Sequence, residues 1–194
     1  MNGQNDALIT LLALVGKAGA GKDTILRYLC DHYDVNEVIS CTTRPPREGE
    51  VDGVNYHFLS ESEFAEKVLN FDMLEATEFN GWFYGTDITA LSPNKVNVGV
   101  FNPAGVEALM NETTLNIIPV LVEAKDKTRL LRQLNREESP NVKEIIRRYG
   151  ADVEDFDVEF ADLIADFGRC PNEDGQFPQN AQQLASLLHL GEVS

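Results

Sequence analysis

Basic side chains are scarce in this chain: 16 Lys and Arg stand against 32 Asp and Glu in 194 residues, a formal net charge of −16. A surface of that sign is repelled by phosphodiester backbones and anionic lipid, which argues against a nucleic-acid or membrane partner. Cysteine is nearly missing too. Cys30, Cys41 and Cys170 are odd in number and lack Cys-x-x-Cys spacing, which speaks against a disulfide scaffold or zinc ribbon and for a reducing compartment. His32, His57 and His189 are scattered without metal-ligand spacing. Repeats and low-complexity blocks are absent. The apolar stretch over residues 7–15 follows no positive region and falls short of the roughly 20 apolar residues that span a bilayer. These absences predict a soluble, cytoplasmic protein. The length and the 43% hydrophobic fraction fit one compact domain with one sizeable core.

What is present has a rhythm. Residues 8–15 are apolar on both faces and stop at glycine, the pattern of a fully buried strand. A helix is predicted over 23–33, buried strands over 96–101 and 116–122, helices over 103–110 and 126–135, a further strand over 160–165 and a closing helix over 181–190. Residues 166–179 lack periodicity and read as loop. Strands alternating with helices imply an α/β fold with a central, mostly parallel sheet and helices on both faces, a three-layer sandwich. Residues 40–86 break this rhythm with turn-rich β patterns, punctuated by Pro45-Pro46, Gly49, Asp52-Gly53 and Asn80-Gly81, around a helix near 61–69. They read as an inserted mixed α/β substrate subdomain, bounded at 39–94. The polar, charged stretch 132–150, broken at Ser139-Pro140, reads as a lid, leaving 1–38, 95–131 and 151–194 as core.

Gly16-Lys17-Ala18-Gly19-Ala20-Gly21-Lys22 follows the first strand and opens a helix. This is the G-x-x-x-x-G-K pattern in the context it requires. Its glycines let successive N–H groups curl around a phosphate, the helix terminus adds a positive dipole end, and Lys22 reaches the β- and γ-phosphates. Gly16, Ala18, Gly19, Ala20, Gly21, Lys22, Asp23 and Thr24 are therefore the candidate ATP contacts. After the lysine, where a Ser or Thr usually ligates Mg²⁺, stands Asp23. An acid there also complements the helix dipole, and Thr24 offers a hydroxyl instead. Asp23 and Thr24 are the candidate metal ligands.

Residues 40–58 read Ser-Cys-Thr-Thr-Arg-Pro-Pro-Arg-Glu-Gly-Glu-Val-Asp-Gly-Val-Asn-Tyr-His-Phe. This resembles the guanylate kinases, whose pattern is a serine followed by T-T-R-x-P-R-x-G-E-x-x-G-x-x-Y-x-F, and Leu74-Glu75 and Gly81–Thr86 look like that family's second guanine-site stretch. The resemblance implies a P-loop fold with an NMP-binding subdomain and a helical lid, and transfer of phosphate from ATP to GMP or dGMP with Mg²⁺. The residues make sense of it. Arg44 and Arg47 can fork onto one phosphate, with hydroxyls from Tyr56 and Tyr84. Guanine presents N1–H and the N2 amine side by side, which one carboxylate, Glu75, can accept, while Ser40 and Thr86 donate to O6. Trp82 and Phe83 cap the subdomain's small core, and Cys41 is expected to be buried and inert.

Eight of the 16 basic residues fall between Lys125 and Arg148. Arg132, Arg136 and Arg147 stand at spacings similar to the family's lid arginines, with Arg148 an equal third member. With Lys22 and Arg44 they form the candidate catalytic set. The alternative is a solvated helix laced with pairs to Glu137, Glu138 and Glu144. The chain departs from the family at Asp23, at Val100 and Asn102, where acids are expected, and at Asp166, where an asparagine frames adenine. A broader deoxynucleoside monophosphate kinase, or a catalytically weak guanylate-kinase-like binding module, are the other readings.

Overall fold

A computed structural model describes residues 8–47, 49–79, 81–136, 138–174 and 176–191. Asn80 of the Asn80-Gly81 turn and Glu137 as a lid-pairing acid lie outside the described residues.

Strand β1 (Ile9–Val15) is apolar on both faces because it lies at the centre of a sheet. It pairs in parallel with β7 (Val96–Val100) on one side and β8 (Leu115–Glu123) on the other. Outside these lie β2 (Val35–Glu37) and β9 (Gly168–Pro171), giving the all-parallel order β2-β7-β1-β8-β9. Successive strand side chains point to opposite faces. Leu12 and Leu14 therefore pack with Ile25 and Leu29 of α1 (Lys22–His32) and Ala181 and Leu184 of α7 (Gln179–Leu187). Leu11, Ala13 and Val15 pack against Val106 and Leu109 of α3 (Pro103–Met110) and Phe160 of α6 (Val158–Leu163). The outcome is an α/β/α sandwich.

A mixed four-stranded sheet forms between β2 and β7, in the order β4-β3-β6-β5, from β3 (Cys41–Thr42), β4 (His57–Phe58), β5 (Met73–Phe79) and β6 (Trp82–Asp87). Helix α2 (Glu61–Leu69) starts on a capping box between Ser60 and Glu63, each satisfying an otherwise orphaned N–H. Its one fully inward residue, Phe64, stacks on Phe83 at 5.7 Å. Two helices follow β8: α4 (Asp126–Leu134) and α5 (Val142–Asp155). Among the described residues no helix is long and apolar enough to cross a membrane.

The C-terminal third departs from expectation. Residues 160–165 are not a strand but the end of α6 and a 3-10 turn over Ile164–Asp166. Asp157 caps that helix by accepting from Phe160 N–H at 2.9 Å. Phe160, Ile164 and Phe167 are buried together at helical spacing, a period that a reading by β-branched and apolar content overlooks. The strand is β9, inside the segment read as loop. Only Cys170 of its four residues is buried, so alternation gives no signal on so short an edge.

Candidate active site

The loop from Gly16 to Gly21 joins the central strand to α1. Gly19 (φ 79°) and Gly21 (φ 95°) adopt left-handed backbone that L side chains rarely take. Space enforces the same choice: a Cβ on Gly19 would lie 2.6 Å from the Arg129 carbonyl oxygen, and one on Gly21 would collide with the Asn172 side-chain amide. Lys22 folds over the loop, donating from Nζ to the Gly16 carbonyl at 2.7 Å. Burial pulls its pKa down, while Asp23 and Asp152 oppose that shift.

The Ala18 residue is held from both sides. Arg129 of α4, 2% exposed, donates from Nε to the Ala18 carbonyl at 2.9 Å. Asp152 of α5 accepts the Ala18 N–H with both carboxylate oxygens at 3.1 Å and forms an ion pair with Arg129. The Arg129 guanidinium also lies over the Tyr149 ring, 4.9 Å from its centroid.

The opposite wall is the four-stranded sheet. Arg44 is 3% exposed, donates from Nη2 to both Glu50 oxygens at 2.9 and 3.0 Å, and sits against the rings of Tyr56 and Phe58. Burial would raise the Glu50 pKa, but the Arg47 N–H and the Arg44 guanidinium outweigh it and hold Glu50 below its usual range. Arg47 is itself depressed, by burial and by the charges of Arg148 and Arg44. Tyr56 packs edge-on to Tyr84 at 6.0 Å, and burial pushes its phenol up to about 12.

Glu75 lies on β5, 8% exposed. Thr86 of β6 donates to its Oε1 at 2.8 Å, and its Oε2 is buried without a hydrogen-bond partner. Burial raises this carboxyl to about 7, against the pull of Thr86. A buried acceptor left unpaired is costly, and this one lies near Gly105 in the first turn of α3: a Cβ built there would sit 3.7 Å away.

These groups share one cleft of about 900 Å³. Gly16, Ala18, Gly19, Gly21, Lys22, Asp23 and Thr24 line one part of it. Ser40, Arg44, Arg47, Tyr56, Glu75 and Tyr84 line another, and Arg132, Arg136, Arg147 and Arg148 close it. Two expected contacts differ. The Ala20 methyl is 1% exposed and turns into the core. Thr86 is fully buried and its hydroxyl is committed to Glu75, so it stands behind the acid rather than on the cleft wall. Asn102, in place of an acid, caps α3 by accepting from Gly105 N–H at 2.6 Å. Asp166 is exposed at the end of a 3-10 turn. The asparagine beside the loop is instead Asn172, after β9, which donates to the Ala20 carbonyl at 2.8 Å while its own carbonyl accepts from Arg132 at 2.8 Å. Arg129 and Asp152 were missed as well, because nothing local in sequence joins residue 152 to residue 18.

Cys41, expected to be buried and inert, is indeed buried. Its pKa is raised mainly by desolvation, as is that of Cys170, to about 11.

Comparison with known proteins places these features in context. The family model described as guanylate kinase matches residues 9–166. A guanylate kinase of Campylobacter jejuni is 32% identical over 145 residues, covering 71% of this chain and 70% of that protein. One of Clostridium perfringens is 51% identical over 77 residues, a match spanning 39% of this chain and only 36% of that relative's length. The crystal structure of guanylate kinase from Anaplasma phagocytophilum superposes with a TM-score of 0.65 at 18% identity, over 94% of this chain and 85% of that one, a likeness of fold.

Proposed function

Since this chain belongs to the guanylate kinase family, we propose that it transfers the γ-phosphoryl group of ATP to GMP or dGMP, yielding ADP and the diphosphate. One observation carries the reading. The same cleft holds a glycine-built loop with its lysine and, opposite, a buried carboxylate with one unpartnered oxygen. The loop amides and Lys22 take the donor phosphates. Arg44 and Arg47, with Tyr56 and Tyr84, take the acceptor phosphate. Glu75 accepts from guanine N1–H and N2–H, with Ser40 toward O6. Adenine would turn a lone pair toward that carboxylate, and a site of polar groups rejects such a mismatch by roughly 10⁴-fold.

Phosphoryl transfer asks for in-line positioning, charge neutralisation and exclusion of water rather than covalent help. Arg132, Arg136 and Arg147, or Arg148 in the last place, supply charge to the moving group as α4 and α5 close on it. Among the described residues no three His, Cys, Asp or Glu gather as a cage for a metal. Asp23 and Thr24, exposed at the start of α1, fit a Mg²⁺ held chiefly by phosphate oxygens and water, the arrangement this ion prefers. Asp23 and Thr24 would hold that ion beside Lys22, and it would supply charge neutralisation to the donor phosphates.

The test is a panel of acceptors (GMP, dGMP, AMP, CMP and TMP) with ATP and Mg²⁺, reading ADP release for each. GMP or dGMP alone should turn over. Equal turnover of TMP or CMP would replace the guanine assignment with a broader deoxynucleotide kinase. GMP binding without any turnover would make the chain a binding module.

A further inference from the structure

We infer that α5 carries two internal stand-ins for phosphate, Asp152 at the donor loop and Glu144 at the arginines facing the acceptor, and that each nucleotide binds by displacing one of them. The inference rests on the function proposed above and concerns how its two sites are held when empty.

Asp152 is 8% exposed and lies 134 residues from Ala18, yet both its oxygens take the Ala18 N–H. That N–H belongs to the loop whose amides are arranged for a phosphate. A carboxylate and a phosphate accept the same charge-assisted hydrogen bonds, so the two compete for one donor. Arg129 fixes the arrangement from behind by gripping both the Ala18 carbonyl and Asp152.

Glu144 does the same across the cleft. Its oxygens accept from Arg147 at 2.7 and 2.9 Å and from Arg148 at 2.9 Å, and lie 3.9 Å from Arg47 on the acceptor side. Three guanidiniums from two parts of the cleft thus share one carboxylate, a geometry fit for a phosphate. The hydrogen bond from Arg147 leads in holding Glu144 down to about 2, so it stays charged at any working pH. Residues 144 and 152 are eight apart on α5, about 12 Å along its axis. The buried Ile145 and Asp152 turn that side inward.

A site occupied by its own carboxylate binds ligand with an affinity reduced by the fraction of molecules in which the site is open. Neutralising the stand-in removes that handicap. Calorimetric titrations with ATP and, separately, with GMP on the wild-type chain, Asp152→Asn, Glu144→Gln and Lys22→Ala test this. Asp152→Asn should tighten ATP on the order of tenfold, and Glu144→Gln should tighten GMP by about fivefold or more. If Asp152→Asn does not fold, Asp152→Ser, small and still an acceptor for Arg129, takes its place. Residues that merely brace the helices would lower the melting temperature and leave both affinities unchanged or weaker, and that outcome overturns the stand-ins. A wild-type chain that binds both nucleotides, ATP in a Lys22-dependent way, beside unimproved variants overturns this inference alone. A wild type that binds neither overturns it together with the proposed function.

Discussion

Across the β5–β6 pair, Thr86 donates its hydroxyl to Glu75 Oε1 at 2.8 Å, leaving Oε2 of the same carboxylate buried and unmatched. One oxygen is spoken for by the fold, and the other lies buried near Gly105, in a residue that lines the cleft.

That division makes acceptor binding depend on pH. Burial lifts Glu75 from its ordinary 4.5 to about 7, so the folded empty protein prefers the protonated acid. The stability this gives is complete below about 4.5 and is lost as pH climbs through 7. Guanine needs the ionised form, whose share grows about tenfold between pH 6 and 8 for a group titrating at 7. GMP should therefore bind about tenfold tighter at pH 8 than at pH 6. Glu75→Gln should flatten that profile, weaken GMP and melt higher than wild type at pH 8. A wild-type GMP affinity that is level over this range would contradict the assignment.

In the proposed function, Lys22 separates donor chemistry from acceptor binding. Its ammonium is on the loop side of the cleft, bonded to the Gly16 carbonyl, while the acceptor arginines are on the opposite wall. Lys22→Ala should cut transfer by about 10²–10³-fold or more, the loss typical of a removed charge-stabilising donor. GMP affinity should be preserved. Parallel kinetics and GMP titration check it; a variant that loses GMP binding would show the two ends of the cleft to be coupled through this residue.

Arg129 is a cation at 2% exposure, bonded to the Ala18 carbonyl, Asp126 and Asp152. Truncation strands a carboxylate with 8% exposure, and breaking such a buried pair costs about 3–5 kcal/mol. Arg129→Ala should melt well below wild type, and adding Asp152→Asn should recover part of the loss. Additive losses in the double-variant cycle would argue that the pair is not coupled.

Phe71 stands in the left-handed region at φ 59° with its side chain 86% exposed. A phenylalanine gains little there and bears about 1–2 kcal/mol of backbone strain. Phe71→Gly should raise the melting temperature by about 2–4 °C, with activity unaltered. A lower melting temperature would mean the ring packs in a way its exposure hides.

The donor loop and central strands were legible because their signals are local. Short apolar runs, the first of them stopping at glycine, mark β1, β7 and β8 to within a residue or two. The Gly16–Lys22 pattern needs only its flanking strand and helix. Glu75, Arg44 and Tyr84 are candidates through two stretches that resemble a family pattern, and all three line the cleft. The missed features are of another kind. Thr86 looks equivalent to Ser40 in sequence, and only the pairing of β5 with β6 turns its hydroxyl onto Glu75. Asn172 could not be located while β9 was read as loop, since an edge strand of four residues has no period to detect. Asp152 meets Ala18 through packing alone.

The strand that leads into the Gly16–Gly21 loop is flanked on both sides, by β8 along its whole length and by β7 from Leu11 to Leu14. A strand held so is expected to exchange its amide protons among the slowest in the molecule, close to global unfolding. Under the function proposed above, nucleotide traffic cannot proceed by fraying the loop's anchor, and it falls to α4 and α5, which hang outside the sheet.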